Sequence, residues 1–138
     1  YAFHPQVEEV TKYLTQAVTL AGSMKDPHEV MESFSCRDAH QCVAAAIYAS
    51  LVCAEDFDSA MILAINHSGR SGAVGALVGG ILGAKLGAEA LPEFYLETLE
   101  CGDVLQTLAL YLATGSPMSG LFNDDWDHKY IQGLPLSK

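Results

Sequence analysis

Gly75, Gly79, Gly83 and Gly87 recur at every fourth position through an otherwise apolar stretch. Residues four apart share one helical face, so the spacing predicts a helix with bare backbone along one side, where another backbone can approach closely. Glycine costs about 1 kcal/mol relative to alanine inside a helix, so a helix carrying such a row is expected to be tightly packed at the centre of its fold. Leu77, Val78, Ile81, Leu82 and Leu86 supply its other faces. The apolar run ends at Lys85, short of the roughly 20 residues a membrane-spanning helix needs. Immediately before it lies a polar turn, Asn66-His67-Ser68-Gly69-Arg70, with Ser71 as the expected N-cap. A polar turn feeding a close-packed helix places donors at a helix mouth, and Asn66, His67, Ser68, Gly69, Arg70 and Ser71 are the candidate ligand-binding residues.

The rest of the chain reads as amphipathic helices separated by capped turns. Val7, Val10, Leu14, Ala17, Val18 and Ala21 recur at helical spacing and predict a first helix ending near Gly22-Ser23. Asp26-Pro27 is a cap followed by proline at a first helical position, opening a segment through about Phe34. A connector follows from Cys36 to His40, with a cap at Ser35 or Asp38. The next helix is expected to bury Val43, Ile47, Leu51 and Ala54, with Ala44 and Tyr48 widening the stripe. Asp56 and Asp58 open another, facing Ala60, Met61, Leu63, Ala64 and Ile65 inward. Leu91-Pro92-Glu93 restarts a helix to about Leu99. Cys101-Gly102-Asp103 caps a last one, with an apolar face of Val104, Leu105, Leu108, Tyr111 and Leu112. The tail Asp124-Asp125-Trp126-Asp127-His128-Lys129-Tyr130 is expected to be an irregular segment pinned by Trp126 and Tyr130. With no convincing β-alternation, the expectation is all-α: a compact multi-helix orthogonal bundle of six or seven helices, residues 1–138 forming a single helical domain.

The 138 residues can bury a core without a disulfide or metal staple. Seven Lys and Arg stand against seventeen Asp and Glu, a formal net charge of -10 that repels phosphate backbones and anionic lipid, so neither nucleic acid nor membrane is an expected partner. Half of the residues are apolar and only 17% charged, which leaves apolar surface for a second copy or a complementary chain. The four cysteines form no CxxC pair and no signal peptide precedes them, so reduced thiols in a cytoplasmic protein are expected. The chain opens at Tyr1, a start that a missing N-terminal half, tag removal or processing would each give.

Ala64-Ile65-Asn66-His67-Ser68-Gly69 before a small-residue helix, then Gly83-Ala84-x-x-Gly87, Leu91-Pro92, Leu99-Glu100 and Asp103-Val104, resembles the C-terminal half of the ADP-ribosylglycohydrolase family. Phe122 to Tyr130 resembles the end of its bacterial members. The resemblance runs in order from about Val43 to Tyr130. It implies part of an all-α domain of roughly twice this length, which binds a pair of Mg ions and hydrolyses bonds to ADP-ribose. It also implies an ADP-ribose-like ligand. After Asn-His-Ser-Gly the family carries Asp-Ser-Asp-Ser or Asp-Thr-Asp-Thr, whose aspartates and final hydroxyl are metal ligands. Here Arg70, Ser71, Gly72 and Ala73 stand in their place. Mg needs hard oxygen donors, and guanidinium, hydrogen and methyl offer none, so no cofactor is expected. The remaining ligands and the catalytic carboxylate come from the family's N-terminal half, which has no counterpart here, and a Glu-Glu pair is replaced by His40-Gln41. The expected function is that of a degenerate ADP-ribosylglycohydrolase-like domain, a pseudoenzyme acting as a binding or assembly module. The alternative is part of an active hydrolase completed by another chain or a second copy.

Other candidates weigh less. Arg70 can neutralise carboxylates from another half or grip a diphosphate through its planar fork. His67 lacks a carboxylate or nucleophile at useful spacing and is read as a loop residue. Cys36, His40 and Cys42 crowd together, with Cys36 and His40 placed to share a helical face, but a fourth zinc ligand is missing. Asp124, Asp125 and Asp127 lack the EF-hand pattern and read as a solvated acidic turn.

Overall fold

The computed structural model describes residues 5–114, and these form seven α-helices and one 3-10 turn with no strand among them. The all-α expectation holds. Contacts divide the chain into two compact units, Tyr1–Glu97 and Thr98–Lys138. No helix among the described residues is long and apolar enough to cross a membrane. The expected tail from Asp124 to Tyr130 lies outside the described residues.

In the first unit, α1 spans Pro5–Ala21, α2 Pro27–Ser33, α3 Ala39–Val52, α4 Phe57–Ile65, α5 Ser71–Leu86 and α6 Phe94–Glu97. Each early turn stops where its chemistry directs. Asp26 accepts the Glu29 N–H at 3.0 Å with Pro27 at the start of α2, and Asp56 accepts from Ser59 N at 3.1 Å and Ser59 Oγ at 2.6 Å at the start of α4. Such caps contribute about 1 kcal/mol each. The Asp38 and Arg37 N–H groups both donate to Gln41 Oε1, at 3.2 and 2.9 Å, which holds the connector against the first turn of α3.

The core lies around α3, which packs against α1, α2, α4 and α5. This corrects the expectation that the glycine helix is central. Ala44, Ala45, Ala46 and Ala49 are all fully buried, together with Cys42 and Tyr48, so α3 is enclosed on nearly every side. Alanine is the best helix former and adds only a methyl group, so four neighbours can close on α3 without strain. The stripe expected from Val43, Ile47 and Leu51 is instead its less buried side, with Leu51 48% exposed. Large side chains from elsewhere fill the spaces between helices. Phe34 packs against Tyr48 with ring centroids 6.0 Å apart, and Met31, Val74, Val78 and Leu82 are buried alongside. Full burial of such apolar side chains contributes about 1.5–3 kcal/mol each.

The flanking helices follow their patterns in part. Ala17 is buried on α1 and Tyr13, Leu20 and Ala21 pack on the core, but Val18 is 59% exposed and Val7 and Val10 are also exposed. Thr11, Thr15 and Thr19 run down the helix, each donating its hydroxyl to the carbonyl four residues back at 2.8 Å. On α4, Phe57, Ala60 and Ala64 are buried, while Ile65 faces outward at 49% exposure. Lys85 near the end of α5 donates to Ala54 O at 2.8 Å and pairs with Glu55 at 2.5 Å, holding α5 to the α3–α4 turn.

The glycine row does not meet another backbone within the described residues. A Cβ on Gly75 would meet Ile65 Cγ2 at 3.1 Å and one on Gly79 would meet Met61 Sδ at 4.0 Å, both side-chain atoms of α4, while Gly83 faces nothing within 4 Å. Gly87 lies past the helix as its C-cap at φ 80°, a left-handed conformation that side chains disfavour. After the 3-10 turn Ala88–Ala90, the helix expected from Leu91 to Leu99 forms only one turn, α6. Phe94, Leu96 and Leu99 remain exposed there, and a turn with no buried face gains too little to propagate. Tyr95 does anchor it, stacking edge-on against Phe57 at 5.3 Å and donating its hydroxyl to Asp58 at 2.8 Å.

In the second unit, α7 spans Gly102–Thr114 and follows Cys101 at φ 59°. Leu105 and Leu112, expected on its apolar face, are 48% and 77% exposed.

Candidate functional site

The polar turn between α4 and α5 is fixed from three directions. Asn66 ends α4, its Nδ2 donating to Ile62 O at 2.8 Å. His67 is half-buried, and its Nδ1 accepts the Gly69 N–H at 3.0 Å, which puts the proton of a neutral ring on Nε2. Ser68 is held by Glu32 of α2. Its N–H donates to Glu32 Oε1 at 2.9 Å and its hydroxyl donates to Glu32 Oε2. The Ser68 hydroxyl, then its backbone N–H, hold the Glu32 carboxyl below its ordinary value of 4.5 by favouring the charged form.

The third restraint is the α2–α3 connector. Ser35 and Cys36 adopt left-handed conformations at φ 60° and 42°, turning the Cys36 carbonyl to accept the Arg70 N–H at 3.0 Å. Gly69 lies directly beneath. A Cβ there would fall 2.5 Å from Cys36 Cβ and 2.6 Å from Ser35 O, so the connector and the turn approach as closely as only glycine permits. Cys36 is fully buried, and the Cys42 Sγ–H donates to its carbonyl at 3.5 Å. Burial, with Cys42 beside it, pushes the Cys36 thiol up to about 12. It sits in the connector rather than on a helix, so the expected shared face with His40 does not form.

Arg70 is the N-cap of α5 without a side-chain cap bond, and Ser71, expected in that role, is the first helical residue. Ser71 N donates to Gly69 O at 2.9 Å. Ser68, Gly69 and Arg70 line an open depression of about 440 Å³ together with Ser35, Cys36 and Arg37. Asn66 lines a different one of about 570 Å³ with Pro27, His28, Val52, Cys53, Ser59, Ile62 and Leu63. Four of the six candidate residues therefore divide between two surfaces, and His67 and Ser71 line neither. Glu32, Ser35 and Arg37 carry no signal in the sequence, because Glu32 meets the turn from α2, more than thirty residues away, and Ser35 and Arg37 come to its depression from a connector whose left-handed backbone the side chains do not announce.

Residues 66–73 at the mouth of α5 carry no carboxylate side chain. Arg70 brings a fixed positive charge, Gly72 and Ala73 bring no oxygen side chain, and no group of three or more His, Cys, Asp or Glu side chains among the described residues is arranged to hold a metal ion.

The chain matches the ADP-ribosylglycohydrolase family over residues 1–120 and belongs to that family. Neither the curated proteins nor the solved structures give a match.

Proposed function

We propose that this ADP-ribosylglycohydrolase-like domain does not carry out metal-dependent hydrolysis on its own and serves as a binding or assembly module. The observation that carries the reading is the mouth of α5, where Arg70, Gly72 and Ala73 stand at the positions of the two aspartates and hydroxyl that the resemblance assigns to Mg. A carboxylate lost to a guanidinium removes a ligand and adds a charge that repels the ion. The turn nevertheless keeps its backbone anchors to Glu32 and Cys36, as a binding surface requires. An ADP-ribose-like molecule is the ligand this reading expects. Titration of the chain with Mg, beside an assay for ADP-ribose release, tests it: no metal uptake and no turnover are expected, and turnover by this chain alone would overturn the reading.

A second reading is that the chain forms part of an active hydrolase completed by another polypeptide or a second copy. Its support is the apolar side chains left open on packed helices, with Ile62 and Ile65 on α4 and Leu77 and Ile81 on α5 between 37% and 51% exposed. Native mass with and without ADP-ribose discriminates, since a lone monomer leaves this reading without its missing ligands.

A further inference from the structure

The depression beside the turn has a charge character unlike the chain that carries it. The protein has ten more acidic than basic residues, yet the lining of this depression holds two arginines and no acid. The two come from distant segments whose loops are joined by backbone, because Arg70 N–H donates to the carbonyl of Cys36, the residue before Arg37. Arg37 is fixed in turn by its own N–H to Gln41 Oε1 at 2.9 Å. Gly69 packed under Cys36 leaves no slack between the loops. Among the described residues neither guanidinium forms an ion pair: the salt bridges there are His40 with Glu9 and Lys85 with Glu55. The nearby carboxylate of Glu32 is already engaged by two bonds from Ser68.

We infer that Arg37 and Arg70 form a binding site for a phosphate group, as a monoester or a diphosphate, in this depression. A guanidinium presents a planar fork of donors that matches phosphate oxygens bidentately and stays charged at any working pH. Two forks on adjoining loops offer more donors than a carboxylate can accept, whereas a phosphate or diphosphate has oxygens for both. The backbone beneath both residues is already fixed, so binding has only the side chains left to order. The inference deepens the binding half of the proposed function and rests on it, while requiring no metal.

Calorimetric titration of the full chain with inorganic pyrophosphate, phosphate and acetate, in metal-free buffer, tests the site. One pyrophosphate per chain should bind, more tightly than phosphate and much more tightly than acetate. Arg37→Gln and Arg70→Gln should each weaken pyrophosphate by about tenfold or more, since each removes charge-assisted hydrogen bonds. Arg70→Lys, which keeps charge but not the fork, should fall between Arg70→Gln and the unsubstituted chain. Lys12→Gln on α1 changes net charge by the same amount and should leave affinity unchanged. Thermal melting of each variant separates lost affinity from lost fold. No pyrophosphate binding, or equal weakening by Lys12→Gln, would overturn the site and leave the assembly reading in place; Mg-dependent turnover would instead end the proposed function and leave the metal-free affinities standing.

Discussion

Gly69 is the residue on which the candidate site turns. With positions for a methyl group 2.5 Å from a side-chain carbon and 2.6 Å from a backbone oxygen, neither neighbour can yield without moving the connector. Gly69→Ala should cost about 1–3 kcal/mol in urea unfolding, the range for forced overpacking, and should weaken the Arg70–Cys36 backbone bond that joins the two loops. Glu32 makes a complementary prediction. Its carboxyl is held below 4.5 in the folded chain, and a group whose folded pKa is depressed contributes stability above its unfolded value that is lost as pH falls through the folded one. Melting temperature should therefore fall as pH drops below about 4.5, and Glu32→Gln should flatten that decline. Part of the slope should persist in the variant, because Ser59 holds the Asp56 carboxyl low in the same way.

At the scale of elements, α5 departs most from its sequence pattern. A row of glycines predicts a backbone partner, yet the positions behave differently when each is considered with its surroundings. Gly83 has nothing within 4 Å of an added methyl, whereas Gly75 would press on Ile65 at 3.1 Å. Gly83→Ala should thus stabilise the isolated chain by up to about 1 kcal/mol through helix propensity alone. Gly75→Ala should gain less or lose, as measured by the same urea unfolding. If Gly83→Ala instead lowers stability in proportion to protein concentration, a second chain lies along that face. The short α6 carries a related lesson. Pro92 and the acid beside it are a sound start signal, but only burial extends a helix, and the sequence there offers no buried stripe.

Across the whole molecule, what was legible was what local chemistry decides. The Asp26-Pro27 and Asp56 starts, the break at Gly22, the helical class and the polar turn all follow from caps and periodicity. The burial pattern did not follow. Leu51, Val18 and Ile65 fit apolar stripes and lie outside, because which face of a helix is covered depends on neighbours far along the chain. The partners of the turn were hidden for the same reason: Glu32 and Ser35 meet it only after α2, α3 and α4 have packed. Those uncovered apolar side chains give a prediction at this scale. Ile62→Glu and Ile81→Glu should leave the helical circular dichroism of the chain intact, and should lower its native mass in sedimentation if α4 and α5 face another subunit.

The alanines of α3 bear on how such a domain can be mapped. The usual scan replaces each side chain by alanine and ranks positions by the damage, yet Ala44, Ala45, Ala46 and Ala49 are already alanine and wholly enclosed. The most restrictive helix in the protein would be silent in that experiment at the positions that restrict it. Its tolerance can be read only in the opposite direction, by adding one or two heavy atoms at a time, and at these four buried sites even serine or valine presses on the surrounding core.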